Sequence, residues 1–183
     1  MNVLVTPSPV FVETPRLILR GAQRGDDEFF LELFNDAAFM RENTDQLRSL
    51  EAVRAYLDWA VRYRAQRGFG AFVIVDRARG NPLGLCTVVW QRELGDEHIG
   101  YSLLERYRGE GRAFEAASAL LEASWARGAR RMFGIVRPEN AISHHLLGKL
   151  GMTFQREGVV DGRTFAWYRR ERPALLAAGS PWL

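Results

Sequence analysis

Glu97-His-Ile-Gly-Tyr-Ser-Leu-Leu104, then Arg106-Tyr-Arg-Gly109-Glu-Gly111-Arg112, an alanine-rich run to about Arg127, and Arg131-Met-Phe-Gly-Ile-Val136 together form the stretch on which the fold turns. Its first and last segments are short and rich in branched and aromatic residues, as strands are. Between them Phe114, Ala117, Leu121 and Trp125 recur at helical spacing, which predicts a helix with one inward stripe. Strand, helix and strand in that order demand a parallel crossover.

Downstream, Pro138-Glu-Asn140 opens a short helix in which Ile142, Leu146, Leu147 and Leu150 share a face, and Gly151 stops it. Two strands, about 153–159 and 163–170, meet at Asp161-Gly162, a strong hairpin signal. Upstream, Ala71-Phe-Val-Ile-Val75 and Leu83–Trp90 flank a Gly-Asn-Pro turn and read as another hairpin. Before them lie a strand, Arg16–Arg20, and two helical runs. The first begins at Asp26-Asp27, with Phe29, Phe30, Leu33 and Phe34. The second begins at Ser49, with Val53, Leu57, Ala60 and Val61 on one stripe and Tyr56, Trp59 and Tyr63 on another, read as core. Residues 1–14 read as a loose leader. The expected order is β-α-α-β-β-β-α-β-α-β-β: an α/β (α+β) chain with a mixed, mostly antiparallel sheet flanked by helices. The chain reads as one domain over 1–183, with its core at about 13–170 and an apolar tail at 171–183 expected to pack on the body or on a second subunit.

Composition narrows the function classes. The chain has 183 residues, 47% hydrophobic and 26% charged, an ordinary globular balance. Its single cysteine, Cys86, lies in an apolar run and reads as core; the three histidines, 98, 144 and 145, lack cysteine partners at metal-ligand spacing, so no metal is expected. The pI is about 9.4, yet 24 arginines are interleaved with 22 acids and the net charge is +3, with no concentrated basic face for nucleic acid. Apolar runs are too short for a spanning helix and the first residues lack the pattern of a secretory signal, so the expected location is the cytoplasm.

The loop Arg106–Ala113 joins a strand to a helix. Gly109 and Gly111 let the backbone approach a bulky anion, and the free N–H groups of the helix's first turn suit a phosphate or pyrophosphate; Arg106, Arg108 and Arg112 add charge. No Gly-Lys-Ser/Thr follows, so it is not a Walker loop, and the third glycine of a dinucleotide fingerprint is missing. Asn140 is well placed as an N-cap, with Ser143 at the third helical position.

Taken together these blocks resemble the GNAT N-acetyltransferase superfamily, in particular its ribosomal-protein N-terminal acetyltransferase-like (RimJ/RimL-type) branch. The resemblance spans about residues 13–170. It includes Glu13-Thr-Pro-Arg-Leu-Ile-Leu-Arg20, His98-Ile-Gly-Tyr101, the loop motif through Arg106, Gly109 and Gly111, and Pro138, Asn140, Ser143, Leu147, Lys149, Leu150 and Gly151. It implies an acetyl-CoA cleft where the strand ending near Leu104 splays from the strand ending near Val136. Backbone groups of Leu103 and Leu104 would pair with the pantetheine arm, and the amides of Arg108, Gly109, Glu110, Gly111, Arg112 and Ala113 would hold the pyrophosphate. Asn140 would contact the pantetheine side, and Ser143 would sit near the sulfur.

Acetyl transfer needs a base for the amine, polarisation of the thioester carbonyl and a proton for the leaving thiolate. The candidates for the base are His98, which stands where many relatives carry Glu, and Glu97; strand alternation sends the two to opposite faces. Ser143 is the candidate for the thiolate side, with Tyr101 a weaker alternative. The expected partners are acetyl-CoA and an amine: a protein N-terminus or a small molecule. A non-catalytic acyl-CoA-binding module on the same fold is the alternative, and an RNA-associated protein is a third reading that rests on pI alone.

Overall fold

Ala71–Asp76 is buried along its whole length, because apolar side chains leave both faces of this strand and each face meets helices. The computed structural model describes residues 10–42, 49–92, 94–160 and 162–174. In chain order the elements are β1 (Val10–Glu13), β2 (Leu17–Gly21), α1 (Asp27–Phe34), α2 (Ala37–Glu42), α3 (Leu50–Arg67), β3 (Ala71–Asp76), β4 (Pro82–Gln91), β5 (Asp96–Leu103), α4 (Arg112–Ala126), β6 (Arg131–Val136), α5 (Ala141–Lys149), β7 (Thr153–Val160) and β8 (Arg163–Glu171). The strands form one sheet in the order β1-β2-β3-β4-β5-β6-β8-β7.

Alternation along β3 builds two cores. Phe72 and Ile74 join Leu120 and Leu121 of α4 and Leu146 and Leu147 of α5 on one face. Ala71, Val73 and Val75 join Phe30 and Leu33 of α1 and Val53 and Leu57 of α3 on the other. Full burial of each large side chain contributes roughly 1.5–3 kcal/mol, so the sheet is clamped from both sides. The helices begin and end where side chains allow. Ser49 caps α3 by accepting from Ala52 N–H, and Gly68 at φ 74 closes it. Asp36 starts α2 by accepting from Ala38 and Phe39 N–H.

Two elements were not expected. β1 lies within the stretch read as a loose leader. It has four residues, with an irregular register against β2, too few to show a period. Phe11 anchors it, its ring centroid 4.3 Å from that of Phe72. α2 has six residues and is nucleated by Asp36 rather than by an apolar stripe. The aromatic stripe of α3 also departs from the core reading: Tyr56 packs on Phe30 and Phe34, but Trp59 is 38% exposed. The tail over 175–183 and Asp161 of the expected turn lie outside the described residues.

β5 is hydrogen-bonded to β4 along its length, from Gly84↔Leu103 to Gln91↔Asp96. Towards β6 it keeps a single parallel register pair, His98↔Phe133, and β6 is otherwise held by β8. The sheet therefore splits between Leu103 and Val136, and this split positions the site. α5 packs tightly beside it: a Cβ on Gly134 would meet Leu147 Cδ2 at 2.6 Å, so glycine there lets the helix approach the strand.

Candidate active site

The loop from β5 to α4 is built to leave amides free. After a 3-10 turn over Glu105–Tyr107, Gly109 and Gly111 take φ 86 and 75 with no atom within 4 Å of an added Cβ at Gly109. Gly111 is the N-cap of α4, and no side chain caps that helix, so the N–H groups of its first turn have no intrahelical partner. The loop is held from behind. Arg16 Nη1 donates to Glu110 O at 3.1 Å, and Arg16 Nε donates to Glu115 Oε2 at 2.6 Å. Thr14 Oγ1 also donates to Glu115, at 2.6 Å. Burial alone would raise the Glu115 carboxyl, but the hydrogen bonds from Thr14 and Arg16 outweigh it and hold Glu115 below the usual carboxylate range.

Two adjoining chambers open in front of this loop. The outer one, about 310 Å³, lies between the start of α4 and α5; Leu103, Arg108, Gly109, Gly111, Arg112 and Ala113 line it, with Lys149 across from them. The inner one, about 200 Å³, lies in the split sheet, with His98 and Gly100 of β5, Ile135 and Val136 of β6, Arg137 and Phe165. Glu42, Tyr101, Asn140 and Ser143 line both chambers.

The charges are largely matched. Arg108 Nη1 donates to Glu42 Oε1 at 2.9 Å, and its Nε donates to Leu103 O at 3.0 Å. Arg112 pairs with Glu110 at 2.9 Å. Lys149 Nζ lies 4.8 Å from the Phe114 ring centre, and no carboxylate among the described residues pairs with it. Asn140 Oδ1 accepts from Ser143 N–H at 3.0 Å, capping α5 and leaving its amide NH₂ available beside the chambers. Tyr101 donates to Ser143 O at 3.4 Å; burial raises its phenol above the ordinary range.

His98 lines the inner chamber, and burial pushes its imidazole down from 6.5 to about 4, so the ring is neutral near pH 7. Glu97 lies on the opposite face of β5 and lines neither chamber. Its carboxyl is raised by burial and by Asp96, against the opposing pull of Arg67. Three members of the expected cofactor set also stand off the chambers. Leu104 is buried in the α1–α3 core, and its N–H donates to Leu83 O at 3.0 Å. Arg106 is exposed and pairs with Glu32 at 2.6 Å. Glu110 turns its carboxylate to Arg112. His144 bonds Tyr168 Oη at 2.8 Å and lines neither chamber, whereas His145 lines the outer one. Cys86 is fully buried and its thiol is pushed up to about 12, an inert core residue.

Glu42 is not among the site residues expected from the sequence, where Glu42 with Asp45 leaves open only the possibility of an acidic pocket for a polycation; in the structure it lines both chambers. It lies in a short helix without a motif, and tertiary contacts deliver it: Asp36, the cap of α2, accepts from Glu105 N–H at 3.1 Å, tying α2 to the loop between β5 and α4.

Residues 16–153 match the family model described as an acetyltransferase (GNAT) domain. YkkB of Bacillus subtilis strain 168, an uncharacterized protein, is 28% identical over 162 residues, covering 86% of this chain and 94% of its own. Among solved structures, an acetyl transferase from Salmonella typhimurium that modifies the N-terminal serine of a 50S ribosomal subunit protein superposes with a TM-score of 0.75. It is 22% identical, over 89% of this chain and 99% of that one. The microcin self-immunity acetyltransferase MccE, solved with acetyl-CoA and AMP, gives a TM-score of 0.75 at 15% identity, over 93% and 99% of the two chains. At these identities the likeness to solved structures is one of fold.

Proposed function

This chain belongs to the GNAT acetyltransferase family, and from that premise we propose that it is an acetyl-CoA-dependent N-acetyltransferase acting on a primary amine, a protein N-terminus or a small molecule, by direct attack in a ternary complex. One observation carries the reading. The two chambers adjoin, sharing Glu42, Tyr101, Asn140 and Ser143, and between them reach from the uncapped start of α4 to His98 in the split sheet. A thioester with a long anionic tail and an amine could thus meet from opposite ends.

The residues divide the work by chemistry. The amides of Gly109–Ala113 and the Lys149 ammonium suit the pyrophosphate, because free first-turn N–H groups and the helix dipole favour anions. The Asn140 amide NH₂ donates to the pantetheine arm. The amine nitrogen attacks the thioester carbonyl, the C–N bond forms, the C–S bond breaks, and the proton that leaves the nitrogen ends on the departing CoA sulfur, passed through solvent. His98, neutral through burial, accepts a hydrogen bond from the attacking amine on the β5 side. The Ser143 hydroxyl, a poor acid, hydrogen-bonds the sulfur as charge gathers there. Holding both substrates in contact supplies much of the rate, so no covalent enzyme intermediate is needed. We further propose that the chain is one such domain and acts in the cytoplasm.

Calorimetric titration with acetyl-CoA, coupled to a free-thiol release assay over a panel of amines, tests this reading. Micromolar binding with thiol release on an amine is the expected result. Binding without release on any amine would favour the non-catalytic acyl-CoA module, and absence of binding would overturn both.

A further inference from the structure

Glu42 is the one carboxylate among the described residues that line either chamber, and it lines both. Its position is not an accident of a loose side chain. Asp36 pins the start of α2 to Glu105 N–H, 3.1 Å away, and Arg108 holds the far end by donating to Glu42 Oε1 at 2.9 Å. The same Arg108 is fixed by its Nε bond to Leu103 O, at the end of the strand that borders the cleft. Oε2 of Glu42 has no partner among the described residues. A half-buried carboxylate with one oxygen engaged and one free is an acceptor for a second cation. The titratable groups on the inner chamber's β5 wall, His98 and Tyr101, offer no negative charge, because burial keeps the imidazole neutral and the phenol protonated.

Resting on the reading above, we propose that Glu42 binds the acceptor: its free carboxylate oxygen receives the ammonium of the incoming amine at the junction of the two chambers, while Arg108 fixes the other oxygen. The amine arrives as a cation near neutral pH, and the shared wall of the chambers is where it must stand to reach a thioester. Glu42 therefore selects for a primary ammonium and holds it until one proton passes to solvent water and the neutral amine is free to attack.

The test compares wild type with Glu42→Gln and Glu42→Asp. Acetyl-CoA affinity is read by calorimetry, and steady-state kinetics are read on a free amino acid, a tripeptide amide with a free N-terminus, spermidine and kanamycin. On the best amine, Glu42→Gln should raise the acceptor KM at least tenfold and change acetyl-CoA affinity less than twofold. Glu42→Asp should recover part of the loss, and thermal midpoints should confirm folded variants. An unchanged acceptor KM overturns the assignment, as does an acetyl-CoA affinity that falls as far as the KM rises, since that would make Glu42 only a brace for Arg108. A wild type that binds acetyl-CoA but acetylates none of these amines also overturns it. A wild type that does not bind acetyl-CoA removes the proposed function itself, and the assignment with it.

Discussion

His98 stands opposite Phe133 in the single register pair that joins β5 to β6. One residue thus marks the last point at which the two parallel strands are held together and the inner end of the chamber that opens beyond them. Its burial makes it a titratable group with a signature in solution.

The His98 imidazole titrates at about 4 in the folded chain against an ordinary 6.5. The unfolded chain therefore takes up the proton first as pH falls. Stability from this group is complete above about pH 6.5 and is lost progressively down to about pH 4, by up to roughly 3 kcal/mol. His98→Gln should flatten that acid limb in denaturant titrations run from pH 7 to 4. If His98 accepts a hydrogen bond from the amine, the same variant lowers kcat by roughly tenfold or more and leaves acetyl-CoA affinity within about twofold. An unchanged kcat would remove it from the chemistry.

Gly109 takes φ 86 with open space where a Cβ would stand, a conformation that Asn and Asp tolerate better than other residues. Gly109→Asn and Gly109→Asp should therefore both fold, with thermal midpoints within a few degrees of each other. Only the second places a carboxylate among the free amides. Acetyl-CoA affinity should fall on the order of a hundredfold for Asp and less than about tenfold for Asn. Equal losses would mean that backbone strain, not charge, governs this loop.

The elements legible in the sequence are those that local chemistry dictates. The Gly-Asn-Pro turn, the alternation of β3 and β5 and the stripe of α4 each state their own structure. The loop from Arg106 to Ala113 was readable because positive φ and free amides are properties of a short segment. The place of Glu42 at both chambers was not, since it depends on Asp36 reaching Glu105 and Arg108 reaching back to α2. Nor could the sequence tell that Arg106 would turn outward to Glu32 while Arg108 turns inward. Both arginines sit in the same motif, and the carboxylates that sort them come from distant helices.

Lys149 is the chain's single lysine, and it faces the outer chamber without a carboxylate partner among the described residues. A surface cation with no carboxylate partner contributes little to stability, so Lys149→Ala should leave the thermal midpoint within a few degrees. Acetyl-CoA affinity should fall roughly three- to tenfold. The affinity of the wild type should weaken with salt more steeply than that of the variant. Identical salt slopes for the two proteins would show that Lys149 does not meet the anionic part of the ligand.

Asn140 is doubly employed, and two substitutions separate its roles. Its Oδ1 caps α5 through Ser143 N–H, while its NH₂ is assigned to the pantetheine arm. Asn140→Asp keeps an oxygen for the cap and gains favourable charge at the helix start, so stability should be maintained. It loses the donor, and the KM for acetyl-CoA should rise about tenfold. Asn140→Ala should show the same rise and, in addition, a loss of about 1 kcal/mol in stability measured by denaturant unfolding. An Asp variant with wild-type KM would reduce Asn140 to a cap.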